Sequence, residues 1–165
     1  MKKNLFTLFI LLIAFHFAKA NNIDTTQLYD PSANAKADIA KAVTQAKKEH
    51  KHVLIEAGGN WCTWCLRFNN FVKATPQVDS IIKADYIVCH LNYSKENEND
   101  ETMAKYGFPQ RFGFPVFIIL DANGNHIHTQ NSGYLEQNKW YSAEKVAEFL
   151  NNWTPAAIDP KNYKQ

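Results

Sequence analysis

Between residues 53 and 65 the chain passes from a short apolar run, Val53-Leu54-Ile55, through Gly58-Gly59-Asn60 and Trp61 into Cys62-Thr63-Trp64-Cys65. The apolar, partly β-branched run has the pattern of a buried strand. The glycines break it, and a helix is predicted from about Cys62 to Ala74. Cysteines at this spacing fit one helical turn, which suits redox exchange or metal binding better than the stapling of distant segments. In disulfide exchange the attacking species is a thiolate. The unpaired N–H groups and the dipole of a helix N-terminus lower a thiol's pKa. Cys62, at the helix mouth, is the expected exposed nucleophile. Cys65, one turn deeper, can attack a mixed disulfide at Cys62 and release the partner.

The flanking sequence gives the element order. Residues 21–33 are polar and read as an extended lead-in. From Asn34 to about His50 an amphipathic helix places Ile39, Ala42, Val43 and Ala46 at helical spacing. Thr75-Pro76 starts another helix, with Thr75 as N-cap and Pro76 in the first turn. Tyr86 to Tyr93 reads as a second core strand carrying Cys89, a small buried hydrophobe in a central position. A charged loop from Ser94 to Asp100 and a short helix around Thr102 to Tyr106 follow. Val116 to Leu120 is the most hydrophobic strand, and Asn123-Gly124 turns it into a partner over Asn125 to Thr129. Ser142 caps a last helix that Trp153 and Pro155 close. Phe68, Phe71, Phe114, Phe117 and Phe149 read as core. Strands separated by helices imply parallel pairing, and the hairpin adds an antiparallel end. The predicted class is α/β, with a central mixed sheet of four to five strands and helices on both faces. One domain spans 34–155, followed by a tail at 156–165.

Residues 1–20 have the pattern of a secretory signal: Lys2 and Lys3, an apolar run from Leu5 to Ala14, and Ala18-Lys19-Ala20 as the cleavage pattern. That run is short for a membrane span, so no stable membrane insertion is expected after cleavage. Removing Lys2, Lys3 and Lys19 takes the basic residues from 18 to 15 against 16 acidic ones. The near-neutral balance carries no electrostatic footprint for nucleic acid. Export to the periplasm or the outside places the cysteines in an oxidising compartment. No Gly-rich dinucleotide loop stands between a strand and a helix, so no cofactor is expected.

Strand, Trp61, the CxxC pair and helix together resemble the thioredoxin superfamily over roughly residues 34–152, and most of all its exported bacterial members described as disulfide isomerases or reductases. The resemblance implies the thioredoxin fold. It also implies that Phe114-Pro115, in Phe112-Gly113-Phe114-Pro115 before the hydrophobic strand, forms the family's cis-proline loop beside the sulfurs. Pro109 competes for that role, but the strand follows Pro115 directly. Glu56, six residues before Cys62, matches the family's acidic residue beneath the active site, which relays a proton to the inner cysteine. His90-Leu91-Asn92 matches a Lys-Leu-Asn in which the lysine partners that acid, so His90 is a candidate relay partner; its alternative is an exposed strand-end histidine. Trp61, Trp64 and Phe114 are candidate contacts for a partner's peptide. The sequence departs from the family at Gly58, where thioredoxin carries an aromatic, implying less apolar surface around the site. A longer loop with Pro109 and Arg111 also precedes the proline.

The leading expectation is therefore a thiol–disulfide oxidoreductase acting on protein thiols and disulfides of exported proteins. Reductase and isomerase fit equally well, a dedicated oxidase fits less well, and a reductase needs a membrane electron donor. The alternative is a metal-binding or metal-delivery protein using Cys62, Cys65 and a histidine, but no second ligand pair has convincing spacing. His126 and His128 share a strand face and read as a solvent-facing edge. A redox-inert interaction module fits poorly with an intact cysteine pair.

Overall fold

A computed structural model describes residues 27–164, and the leader expected at 1–20 lies outside the described residues. α1 (Ala35–Glu49) opens at Asn34, whose side chain accepts from the Ala37 N–H at 3.1 Å, and closes where His50 turns left-handed at φ 56°. β1 (His52–Gly58) follows and is buried along its whole length. α2 (Thr63–Ala74) and α3 (Pro76–Asp85) then carry the chain back to β2 (Tyr86–Asn92), parallel to β1. α3 begins where expected, yet Thr75 makes no side-chain cap bond; the fixed φ of Pro76 suits the first turn without one.

The sheet order is β2-β1-β3-β4, with β3 (Val116–Leu120) antiparallel to both β1 and β4 (His126–Asn131). A helix separates β2 from β3, but the strands on either side of it do not run parallel. α4 (Asp100–Lys105) has six residues, about 9 Å of helix, too short to return the chain along the sheet. β2 stops with Asn92 opposite Gly58, and β3 starts with Val116 opposite Ala57. Both ends therefore lie where α2 begins. Cys89 consequently sits on an edge strand, not a central one.

Helices cover both faces. Ile39, Ala42 and Ala46 of α1 pack with Met103 against Val53, Ile55, Ile118 and Leu120. Phe68 and Phe71 of α2, Val78 and Ile82 of α3, and Val146, Phe149 and Leu150 of α5 (Ala143–Asn152) pack against Leu54, Phe117 and Ile119. Burying such side chains is worth roughly 1.5–3 kcal/mol each. A two-stranded ribbon, β5 (Glu136–Gln137) and β6 (Trp140–Tyr141), lies outside the main sheet. Strands of two residues carry no periodic signal, so the sequence does not announce it. Its Tyr141 ring meets Phe68 at 5.0 Å and Trp64 at 5.5 Å, and its hydroxyl donates to the Trp64 carbonyl at 3.2 Å. The ribbon thereby braces the first turns of α2. Among the described residues no helix is long and apolar enough to cross a membrane.

Candidate active site

Cys62 is the N-cap of α2, and its sulfur accepts from the Cys65 backbone N–H at 3.1 Å. The two sulfurs form a disulfide across a Cα separation of 5.2 Å. A cysteine at an N-cap meets the unpaired N–H groups of the first turn, which favour negative charge on its sulfur. The expected difference in depth is small: Cys62 is 5% exposed and Cys65 1%. Tyr29 packs with both cysteines, and Leu28, Trp64 and Phe114 lean on them. The outer sulfur is thus covered rather than open.

Glu56 and His90 are register partners on β1 and β2. Glu56 alternates with Leu54 and Gly58 and so faces α2, the side of the sheet that holds the cysteines. Its carboxylate is buried, with Oε2 3.5 Å from His90 Nε2. Burial pushes the His90 imidazole down, while the hydrogen bond and charge of Glu56 push it up; the net direction is up. A buried carboxylate beside an imidazole can hold or pass a proton.

Tyr29 has no counterpart among the sequence expectations. Asn60 clamps its segment: Asn60 Oδ1 accepts from the Leu28 and Tyr29 N–H groups at 3.0 Å each, and Nδ2 donates to the Tyr29 carbonyl at 2.7 Å. The ring is 1% exposed and stands edge-on to His90 at 5.4 Å between centroids. Gly58 makes room for it. A Cβ there would lie 2.4 Å from Cys65 Sγ and 3.0 Å from the Tyr29 hydroxyl oxygen. The expected loss of apolar surface at Gly58 is therefore offset by an aromatic from the lead-in. The missing aromatic at position 58 and the apolar pair Leu28-Tyr29 in a polar stretch are the signals that could have exposed it.

Trp61 forms the rim. It is 58% exposed, and its Nε1–H donates to the Tyr93 carbonyl at 2.7 Å. Gly59 permits that placement, because a Cβ there would meet the indole nitrogen at 2.4 Å. Phe114 stands edge-on to Trp61 at 5.5 Å and stacks on Tyr93 at 4.9 Å. The Phe114–Pro115 peptide is cis. Pro109 instead begins a 3₁₀ turn, Pro109–Phe112. That turn leaves Phe108 57% and Phe112 38% exposed, with the Arg111 guanidinium 4.2 Å over the Phe112 ring. Trp64 is half-buried between Tyr141 and the Arg67 guanidinium, 4.8 Å over its ring.

Among the described residues no three His, Cys, Asp or Glu side chains group so as to hold a metal ion. His126 is exposed, but His128 is not a solvent-facing neighbour: it stacks on Trp153 at 4.2 Å.

A mixed sheet between two helical layers, with a disulfide at a helix N-terminus, defines a thioredoxin-like protein. Residues 34–122, more than half of the chain, match the thioredoxin-like family, and the chain belongs to it. It is similar to the thiol:disulfide interchange protein DsbD of Salmonella typhi, 25% identical over 126 residues, which cover 70% of this chain and 21% of that protein. The DsbD of Escherichia coli K12 is 23% identical over 100 residues, covering 60% of this chain and 17% of its own. The chain thus spans about a fifth of the length of these curated relatives. Among solved structures it is similar to a disulphide isomerase from Xylella fastidiosa Temecula1, with a TM-score of 0.67, 25% identity and coverage of 76% of this chain and 95% of that one. The oxidised C-terminal domain of Neisseria meningitidis DsbD shares the fold, with a TM-score of 0.53 at 18% identity over 73% of this chain and 96% of that one.

Proposed function

We propose that this chain is a protein disulfide reductase or isomerase that exchanges disulfides with exported proteins through the Cys62/Cys65 couple. The observation that carries this reading is the Cys65 N–H donating to Cys62 Sγ at 3.1 Å. A donor already aimed at the sulfur stabilises the charge that appears there when the disulfide opens. In the reducing direction the Cys62 thiolate attacks a partner's disulfide. A bond forms between Cys62 Sγ and one partner sulfur, and the other partner sulfur leaves with the electron pair and takes up a proton. Cys65 then loses its proton and attacks Cys62 Sγ. This closes the Cys62–Cys65 bond and releases the second partner thiol, so that the partner gains two electrons.

Glu56 serves as the base for Cys65, and His90 holds its carboxylate. Phe114 and the cis-Pro115 turn flank the sulfurs where a partner's extended backbone can pair, and Trp61 and Trp64 offer it apolar surface. Residues 1–20 direct export to the periplasm or beyond, and a membrane electron donor returns the electrons. The interchange and isomerase names of the similar proteins support this reading.

The test uses the chain without residues 1–20, reduced and offered a protein disulfide. Wild type turns it over, Cys62→Ser does not, and Cys65→Ser accumulates a covalent mixed disulfide. Turnover that survives Cys62→Ser would overturn the reading. The reduction potential of the couple, measured against glutathione, separates reductase from isomerase.

A further inference from the structure

The Tyr29 hydroxyl is buried without a hydrogen-bond partner, and the residue packs with Cys62 and Cys65. An unpaired buried donor is costly, so native structures rarely leave one. Nothing about this one is loose. Asn60 fixes the Tyr29 backbone through its N–H and its carbonyl, and the Tyr29 and His90 rings meet at 82°. The hydroxyl oxygen and Cys65 Sγ flank the same small space above Gly58, 3.0 and 2.4 Å from the point where a Cβ would stand. A disulfide sulfur is a weak acceptor, whereas a thiolate is a strong one.

Resting on the exchange reading above, we propose that Tyr29 is a hydrogen-bond donor to the resolving sulfur: its O–H bonds Cys65 Sγ when the disulfide opens, and holds Cys65 as the attacking thiolate. In the mixed disulfide, Cys65 passes its proton to Glu56 and attacks Cys62 Sγ. The Cys65–Cys62 bond forms, the Cys62–partner bond breaks, and the partner sulfur leaves with the electron pair and is protonated. Tyr29 keeps its own proton throughout. Burial, and after it the charges of Glu56 and Tyr141, push the phenol well above its ordinary range, so it remains a donor over the whole pH span of exchange. The hydroxyl left unsatisfied in the closed state is satisfied once Cys65 is ionised, which favours the reduced form at a pH where that thiolate is populated.

The decisive measurement is the Cys65 titration, followed by thiolate absorbance in the Cys62→Ser, Cys89→Ala background. Tyr29→Phe is expected to raise the Cys65 pKa by about 1, the loss of one charge-assisted hydrogen bond. At a pH above the Cys65 pKa, where that sulfur is ionised in the open pair, it also shifts the dithiol–disulfide equilibrium about tenfold toward the disulfide, lowering the potential by about 30 mV. Near-isosteric 3-fluorotyrosine at position 29 donates more strongly and lowers the Cys65 pKa. A folded Tyr29→Phe protein with an unmoved Cys65 pKa and potential overturns the proposal. If Tyr29→Phe does not fold, an unmoved Cys65 pKa in the fluorotyrosine protein overturns it. Failure of the exchange reading looks different: wild type then turns over no protein disulfide, whatever Cys65 titrates at.

Discussion

Cys65 and Cys89 lie at similar depth, 1% and 8% exposed, on opposite faces of one sheet, yet their surroundings differ in kind. Cys65 is bonded to Cys62 at the mouth of α2, with a backbone donor on the partner sulfur and Glu56 on the same sheet face. Cys89 is free and sits on β2 among the apolar side chains of α1. Burial, then the charges of Asp38 and Glu56, push its thiol up to about 11. Burial alone therefore does not decide what a thiol does. The groups that can stabilise its anion do.

The largest expected contrast is in turnover. Cys62→Ser lowers the rate on a protein disulfide by at least about 10³-fold, while Cys89→Ala leaves it within about twofold and costs on the order of 1 kcal/mol in a urea titration. A large rate loss from Cys89→Ala would break the comparison by making Cys89 a working thiol. Labelling sharpens it. With the Cys62–Cys65 disulfide closed, folded protein shows no thiol reactive to a small alkylating agent near pH 8, and denatured protein shows one. A thiol with a pKa of about 11 is ionised only to about one part in 10³ at that pH. Fast labelling of folded protein would show Cys89 to be open.

Glu56 divides the two cysteines in a further way: its charge raises the Cys89 thiol, while in the proposed cycle it takes the Cys65 proton. Glu56→Gln is expected to slow resolution of the mixed disulfide by about 10²-fold. The initial attack by Cys62 stays near the wild-type rate. Rapid-quench trapping of the mixed disulfide separates the two steps. Equal slowing of both would remove the relay and leave Glu56 a packing residue.

The sequence made the fold legible where its signals were local. A strand, a break and CxxC at a helix start lie within thirteen residues, and Asn34, Pro76 and Ser142 mark helix starts without tertiary information. Direction was harder to read. Whether β3 runs with or against β1 depends on where α4 leaves the chain, and six helical residues at a loop end do not declare that. The site was legible as a set of positions around one motif. Tyr29 was not, because its contacts reach Asn60 and His90, more than thirty residues away, and its two signals, the apolar pair Leu28-Tyr29 and the missing aromatic at Gly58, are joined only by tertiary contact. The same contact hid the depth of Cys62, since the lead-in that packs against it is read as extended chain.

The smallest expected effect concerns His90, and its sign discriminates. The two cysteine environments share one sheet, and His90 is where an ion pair enters it. Its folded pKa is raised because the hydrogen bond and charge of Glu56 outweigh burial. A raised folded pKa means that the stabilisation is fully present below the unfolded value of about 6.5 and is lost as pH rises through the folded value. Compared with His90→Gln in urea titrations across pH, wild type should gain no more than about 1 kcal/mol at the acid end, and the gain should fade toward alkaline pH. His90→Gln also removes the edge contact with the Tyr29 ring, which adds a constant offset at every pH. The slope rather than the level therefore carries the test. A gap that widened with rising pH would mean that His90 is held neutral, and Glu56 would then need a different partner for its charge.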